Sequence, residues 1–274
     1  MTDSQPPTSE NPAETYEAYS VPPLFRPWAA ELVDLARPQA GERVLDLACG
    51  TGVVARAIAH HLSGQVELVG VDLSPAMVAV GRAAAAMEGI TITWHVARAD
   101  AIPLPDAALD LVVIHQGLQF FPDRLAALQE VLRVLVPGGR VVSATWTALG
   151  DNPFNAALAA IIARHLGTPA MDAPFALGER AALQPLFEQA GFGDIDIRRI
   201  HKPVRFPDPA TFVARSVESA SASVPGLQAL DGAARTALIA AIQSDMVPVV
   251  RAYTEGEQVV TPRGAHLVRA YKPA

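Results

Sequence analysis

Cysteine is all but missing from this chain: Cys49 is the only one in 274 residues. That excludes an internal disulfide framework and suits a reducing, cytoplasmic setting. Lysine is nearly as scarce, with Lys202 and Lys272 set against 19 arginines. Basic residues are also outnumbered by acidic ones, 21 to 28, for a net charge of −7. The deficit is unevenly spread. Residues 205–274 carry seven basic and six acidic groups, which leaves −8 for residues 1–204. That field repels a phosphate backbone, and no basic or base-stacking stretch offsets it, so no nucleic-acid partner is expected. No apolar run approaches the roughly 18–20 residues of a membrane span. The N-terminus is polar and acidic, unlike a signal peptide. No cluster of Cys, His and carboxylates has metal-ligand spacing, so no metal is expected.

Apolar residues are plentiful, at 50 %, and alanine alone contributes 50 residues. A chain of this length and apolarity buries a real core in one enlarged α/β domain or two smaller ones. Residues 1–14 are polar and proline-bearing and read as a disordered tail. Residues 15–38 carry helical spacing at Leu24, Trp28, Leu32 and Leu35, which Pro38 stops. From 39 to 147 strands alternate with ten-residue helices: strands at 43–47, 65–73, 90–96, 109–115 and 140–146, helices at 53–62, 75–87 and 124–135. Alternation at this pace predicts a parallel sheet with right-handed crossovers and helices on both faces. The rhythm changes after Trp146. Residues 148–178 and 205–258 are mainly helical and read as a cap beside the sheet. Residues 179–204 and 259–274 supply a closing helix and strands, the last at 193–201 and 264–271.

The stretch Val44-Leu45-Asp46-Leu47-Ala48-Cys49-Gly50-Thr51-Gly52 is the most informative. A strand runs through a glycine turn into a helix, and the glycines let a ligand approach the backbone closely. Asp72 ends the second strand 20 residues after Gly52, where a carboxylate can accept both hydroxyls of a ribose. By themselves these features also fit a dinucleotide fold. Asp46, however, lies inside the first strand, where a buried carboxylate needs a partner. A ligand ammonium would supply one; a pyrophosphate would be repelled. Asp100 lies just past the third strand, placed to accept from an adenine amino group.

Five stretches together carry a resemblance: V-L-D-L-A-C-G-T-G (44–52), V-D-L-S-P-A-M (71–77), A-D-A-I-P-L-P-D (99–106), L-D-L-V-V-I-H-Q-G-L-Q-F-F-P-D (109–123) and E-V-L-R-V-L-V-P-G-G-R (130–140). In order and spacing they resemble class I S-adenosylmethionine-dependent methyltransferases, of the branch similar to ubiquinone/menaquinone C-methyltransferases. The resemblance implies a Rossmann-like seven-stranded sheet, mostly parallel with one antiparallel strand. It implies S-adenosylmethionine as cofactor, S-adenosylhomocysteine as product and no metal. Asp46 would hold the methionine ammonium, with Ala48, Gly50 and Gly52 along the methionine chain. Ala48 stands where such loops often have Gly, and no loss is expected. Asp72 would take the ribose hydroxyls, Leu73 and Met77 would flank the adenine, and Asp100 with the Ala101 N–H would read its edge. His115 and Gln116 would face the methyl group.

The same resemblance makes the segment bearing Tyr16, Tyr19, Phe25, Arg26 and Trp28 a lid over cofactor and substrate, with Tyr19 touching the cofactor. His115 is the candidate base, since an ordinary imidazole titrates near pH 6.5. Phe25, Gln119, Phe120 and Trp146 are expected to line an acceptor pocket at the C-terminal edge of the sheet. The expected reaction is in-line methyl transfer to a small apolar or aromatic metabolite, by a monomer or homodimer. Two alternatives are a protein or tRNA methyltransferase and a cofactor-binding protein of the same fold without transfer. The N/D-P-P-Y/F motif of amide- and amine-modifying relatives is absent: His115-Gln116-Gly117 ends the fourth strand instead.

Overall fold

The computed structural model describes residues 11–220 and 224–274. The expected tail therefore lies outside the described residues up to position 10. Residues 11–14, assigned to that tail, instead enter a helical turn. Asn11 caps α1 (Pro12–Thr15), its Oδ1 accepting the Ala13 N–H at 3.0 Å, which satisfies a donor at the helix start. The chain then widens into a ten-residue π-type helix, Tyr16–Phe25, before α2 (Arg26–Ala36). Pro22 and Pro23 sit inside that wide turn. Neither has an N–H, and their rings crowd the preceding turn, so a regular α-helix cannot run through them.

Strands and helices then alternate: β1 (Arg43–Leu47), α3 (Val53–His61), β2 (Glu67–Asp72), α4 (Pro75–Met87), β3 (Thr93–Val96), β4 (Leu109–His115), α5 (Arg124–Val134) and β5 (Leu135–Trp146). Next come α6 (Pro153–Leu166), α7 (Arg180–Gln189), β6 (Gly193–Pro207), α8 (Pro209–Ala220), α9 (Pro225–Gln228), α10 (Gly232–Ala252), β7 (Thr254–Glu255) and β8 (Gln258–Tyr271). The sheet order is β3-β2-β1-β4-β5-β8-β6. β8 runs antiparallel to both neighbours, and the other main strands are parallel. This is the expected Rossmann-like sheet. The two-residue β7, paired only with β8, is an addition.

Three apolar clusters hold the layers together. α2, α3 and α4 cover one face of the sheet through residues such as Leu32, Ile58 and Val78. α5 and α7 cover the other through Leu128, Val131, Leu183 and Phe187. The third cluster joins Trp28 and Trp146 to Phe154 and Leu158 of α6, Phe212 of α8, and Ile242 and Met246 of α10.

β6 and β8 are longer than their sequence suggests, reaching Pro207 and starting at Gln258. Residues 205–207 and 258, assigned to the cap, are therefore strand. Pro203, Pro207 and Pro262 obscure these extensions, and Pro203 faces Pro262 across the pair. Edge strands tolerate such prolines. The two strands project beyond the Trp146–Ala265 pair as an arm, against which the cap helices pack. α10 qualifies one expectation: at 21 residues it is long and apolar enough by composition to cross a membrane. Within the fold it buries Ile239, Ile242 and Met246, and mid-helix Asp245 pairs with Arg164 at 2.6 Å.

Candidate functional site

The first strand delivers Asp46 into the interior, where it is 1 % exposed. Its carboxylate accepts the Ala55 N–H of α3 at 3.0 Å. A helix N-terminus favours a negative charge there, yet burial dominates and pushes the carboxyl up to about 8. Asp46 thus keeps its proton at neutral pH.

The turn after β1 is built from left-handed residues at alternate positions, with φ of 55° at Ala48, 54° at Gly50 and 78° at Gly52. Gly52 has a second constraint. A Cβ built on it would stand 2.5 Å from the Trp94 ring, and those on Gly70 and Gly81 would stand 2.9 and 2.7 Å away. Three bare glycines thus make the slot that seats Trp94 of β3 beneath the turn. Asp72 ties the turn from above: Oδ2 accepts the Gly50 N–H at 2.7 Å and Oδ1 the Ser74 N–H at 2.8 Å.

A cleft of about 270 Å³ opens at the C-terminal ends of β1, β2, β3 and β4. That is slightly below the range of whole small-molecule pockets, about 300–1,000 Å³. It straddles the point where the sheet order reverses between β1 and β4, the usual ligand edge of such folds. Ala48, Asp72, Leu73, Asp100, Gln116 and Phe120 line it, joined by Arg98, Phe121 and Pro122. Leu73 is 67 % exposed, an apolar side chain standing at the mouth. Asp100 is held by Arg98 in a two-point pair at 2.7 and 2.5 Å, and that hydrogen bond keeps its carboxyl below the usual range. Met77 and Ala101 do not line the cleft.

The methionine side of the expected site is covered by the N-terminal segment. The Tyr16 ring lies 3.7 Å from where a Gly50 side chain would begin. Burial, then the charges of Glu17, Asp72 and Asp46, drive its phenol far above the ordinary range. Glu17 accepts from Thr51 Oγ1 at 2.5 Å and from Arg56 at 2.6 Å, and Arg56 also pairs with Glu88. These contacts fasten the segment across the turn to α3 and α4. Glu17, Arg56 and Trp94 escaped sequence reasoning because each acts through partners on other elements, the nearest of them 13 positions away.

His115 is buried beside Phe25, their rings 5.6 Å apart and edge-on. Its Nε2 has no hydrogen-bond partner among the described residues, and burial lowers its titration to about 3. Gln116 adopts φ 57° and accepts from Gln119 Nε2 at 3.0 Å. Tyr19, Phe25, Gln119 and Trp146 stand outside the cleft, and Asp46, Gly50, Gly52 and His115 do not line it either. Tyr19 lies under the Arg215 guanidinium, 3.4 Å from its ring centre. Trp146 meets Trp28 edge-on at 5.5 Å. Among the described residues no group of His, Cys, Asp and Glu could hold a metal.

Residues 44–139 match a family model described as a methyltransferase domain. The demethylmenaquinone methyltransferase of Thermus thermophilus is 44 % identical over 115 residues, which is 42 % of this chain and 52 % of that one. The ubiquinone/menaquinone biosynthesis C-methyltransferase of Geobacter sulfurreducens is 45 % identical over 119 residues, 43 % of this chain and 46 % of that one. The chain thus spans about half the length of these curated relatives. Among solved structures, phosphoethanolamine N-methyltransferase 2 of Haemonchus contortus superposes with a TM-score of 0.61 at 19 % identity, covering 96 % of this chain and 57 % of that one. At that identity the likeness concerns the fold.

Proposed function

We propose that this protein is a methyltransferase that uses S-adenosylmethionine to methylate a small molecule. The observation that carries the reading is the pair Asp46 and Asp72 flanking the glycine turn, within the segment that matches the methyltransferase domain. The fit to the cofactor is chemical. Asp46 is buried with a raised pKa, so an ammonium brought against it restores its charge. The left-handed Ala48, Gly50 and Gly52 bring backbone, not side chains, to the ligand. Asp72 keeps lone pairs free for two ribose hydroxyls while it bonds the turn. Leu73 at the mouth and Phe120 on the wall offer apolar surface to an adenine ring, and Asp100 lies within reach of its edge.

When bound, the cofactor supplies an electrophilic methyl group on a sulfonium. The chain's own work is to orient and to exclude water. Tyr16, Glu17 and Phe25 close the approach over the turn, and holding a nucleophile within about 3–3.5 Å and in line can supply roughly 7–11 kcal/mol of the barrier. His115 stays neutral, so its unpartnered Nε2 orients an acceptor hydroxyl by taking a hydrogen bond from it.

The relatives' names point to quinone-type acceptors, but their match covers only 42–43 % of this chain, so the acceptor class rests on this chain's own residues. The test is calorimetry with S-adenosylmethionine, followed by incubation of methyl-labelled cofactor with fractionated cell extract. Micromolar binding and label in a small-molecule pool are expected. No binding, or label only in protein or RNA, would overturn the reading.

A further inference from the structure

Two arginines are deeply buried among the described residues, and only one of them has carboxylate partners. Arg56, 4 % exposed, has Glu17 and Glu88. Arg263, 6 % exposed, has none among the described residues. Its Nε is buried without a hydrogen-bond partner among the described residues. Burial alone acts on it, lowering its titration to about 10 with no neighbouring charge to oppose the shift. It therefore stays a cation at neutral pH, and an unpaired buried cation is unfavourable unless a ligand completes it.

Its place in the fold says which ligand. Cross-strand partners share a face of the sheet. His115 pairs with Ala144, Ala144 with Leu267, and Trp146 with Ala265. Arg263 precedes Ala265 by two residues, so it stands on the His115 face, at the edge where β4 and β5 end. The cap closes over it through the cluster of Trp28, Trp146, Phe154 and Phe212. The guanidinium lies 5.3 Å from the Trp146 ring centre. Other buried donors nearby also lack partners: Thr261 Oγ1, on the same face of β8, and Trp28 Nε1, whose ring meets Trp146. Lys202, directly opposite Arg263, is neutralised by Glu31 of α2. The surroundings thus present one uncompensated positive charge, hydrogen-bond donors and aromatic walls.

We infer that Arg263 binds a carboxylate on the methyl acceptor, which makes the substrate an aromatic or similarly apolar carboxylic acid. A single net charge matches a monoanion; a phosphate dianion would leave a buried negative charge. The fork of a guanidinium takes a carboxylate through two parallel hydrogen bonds. This inference rests on the methyl-transfer reading.

The experiment uses the full chain saturated with S-adenosylhomocysteine, whose affinity is measured first by calorimetry. 2-Naphthoate, methyl 2-naphthoate and 2-naphthyl phosphate are then titrated, read by tryptophan fluorescence and calorimetry. The acid is expected to bind at least tenfold more tightly than its ester and than the phosphate. Arg263→Met is expected to abolish that preference, and Lys202→Met to leave it in place. Equal binding of acid and ester by the unmodified protein would overturn the assignment, and that comparison needs no variant to fold. So would tighter binding of the phosphate, or an Arg263→Met protein that keeps the preference. If S-adenosylhomocysteine itself fails to bind, the methyl-transfer reading falls, and the acceptor assignment with it. If it binds and the acid shows no preference, only the Arg263 assignment falls.

Discussion

The residue with most leverage over the cleft is Asp72, because it bonds both the glycine turn and the start of α4. Asp72→Ala is expected to weaken S-adenosylmethionine binding by about 2–3 kcal/mol, as loss of charge-assisted hydrogen bonds would. Unchanged affinity in calorimetry would refute the ribose role. Asp46 gives a pH signature. Its pKa is raised to about 8 in the fold, against about 3.9 in an unfolded chain. Between those values the native state holds a proton that the unfolded state has lost, so cofactor-free stability declines as pH rises from about 4 to 8. An ammonium reverses the preference, so cofactor binding at pH 7 should release protons and tighten toward pH 8. Calorimetry in buffers of different ionisation enthalpy measures this, and Asp46→Asn should abolish the release. His115 is lowered to about 3, so it stays neutral above pH 5 and should put no ascending limb near 6.5 into the rate profile. His115→Asn should reduce turnover about tenfold, the worth of one hydrogen bond, with cofactor affinity nearly intact. At this scale the aspartates were legible because strand ends and turns leave a local signature. Glu17 and Arg56 left none, since an ion pair between positions 17 and 56 has no periodicity.

Among the elements, the N-terminal segment and the Trp94 slot decide how firmly the cleft is held. Glu17→Gln removes one of the two carboxylates on a buried guanidinium and is expected to cost about 1–3 kcal/mol. Limited proteolysis should then cut within residues 11–25 faster, while the α3–α4 contact through Glu88 survives. Gly81→Ala puts a methyl 2.7 Å from the Trp94 ring, an overpacking expected to cost about 1–3 kcal/mol. Denaturant unfolding should show this penalty shrinking in a Trp94→Leu background, since the two changes share one space. The sequence placed these helices and strands to within a few residues, because their apolar spacing is regular. It missed the wide turn at Tyr16–Phe25, whose two prolines signal an interruption but not its shape.

For the whole molecule, sheet and cap share one apolar cluster that runs from Trp146 to Phe154 and Met246. They should therefore unfold together. Phe154→Ala is expected to cost about 3–5 kcal/mol, with tryptophan fluorescence and far-ultraviolet circular dichroism still changing in a single coincident transition. Separated transitions would show a cap that folds by itself.

By itself the sequence determined the parallel sheet, its cofactor-type turn and the acidic bias around it. Those depend on residue type and on spacings of a few positions, which the chain carries in one dimension. Only the tertiary structure decided what stands over the turn and what the cap encloses. Tyr16 reaches Gly50, Trp94 fills the space of three glycines, and Arg263 is buried beside Trp146 across strands distant in sequence. Burial is a property of the folded chain, and burial keeps Asp46 protonated and His115 neutral and leaves Arg263 a cation with no carboxylate partner among the described residues.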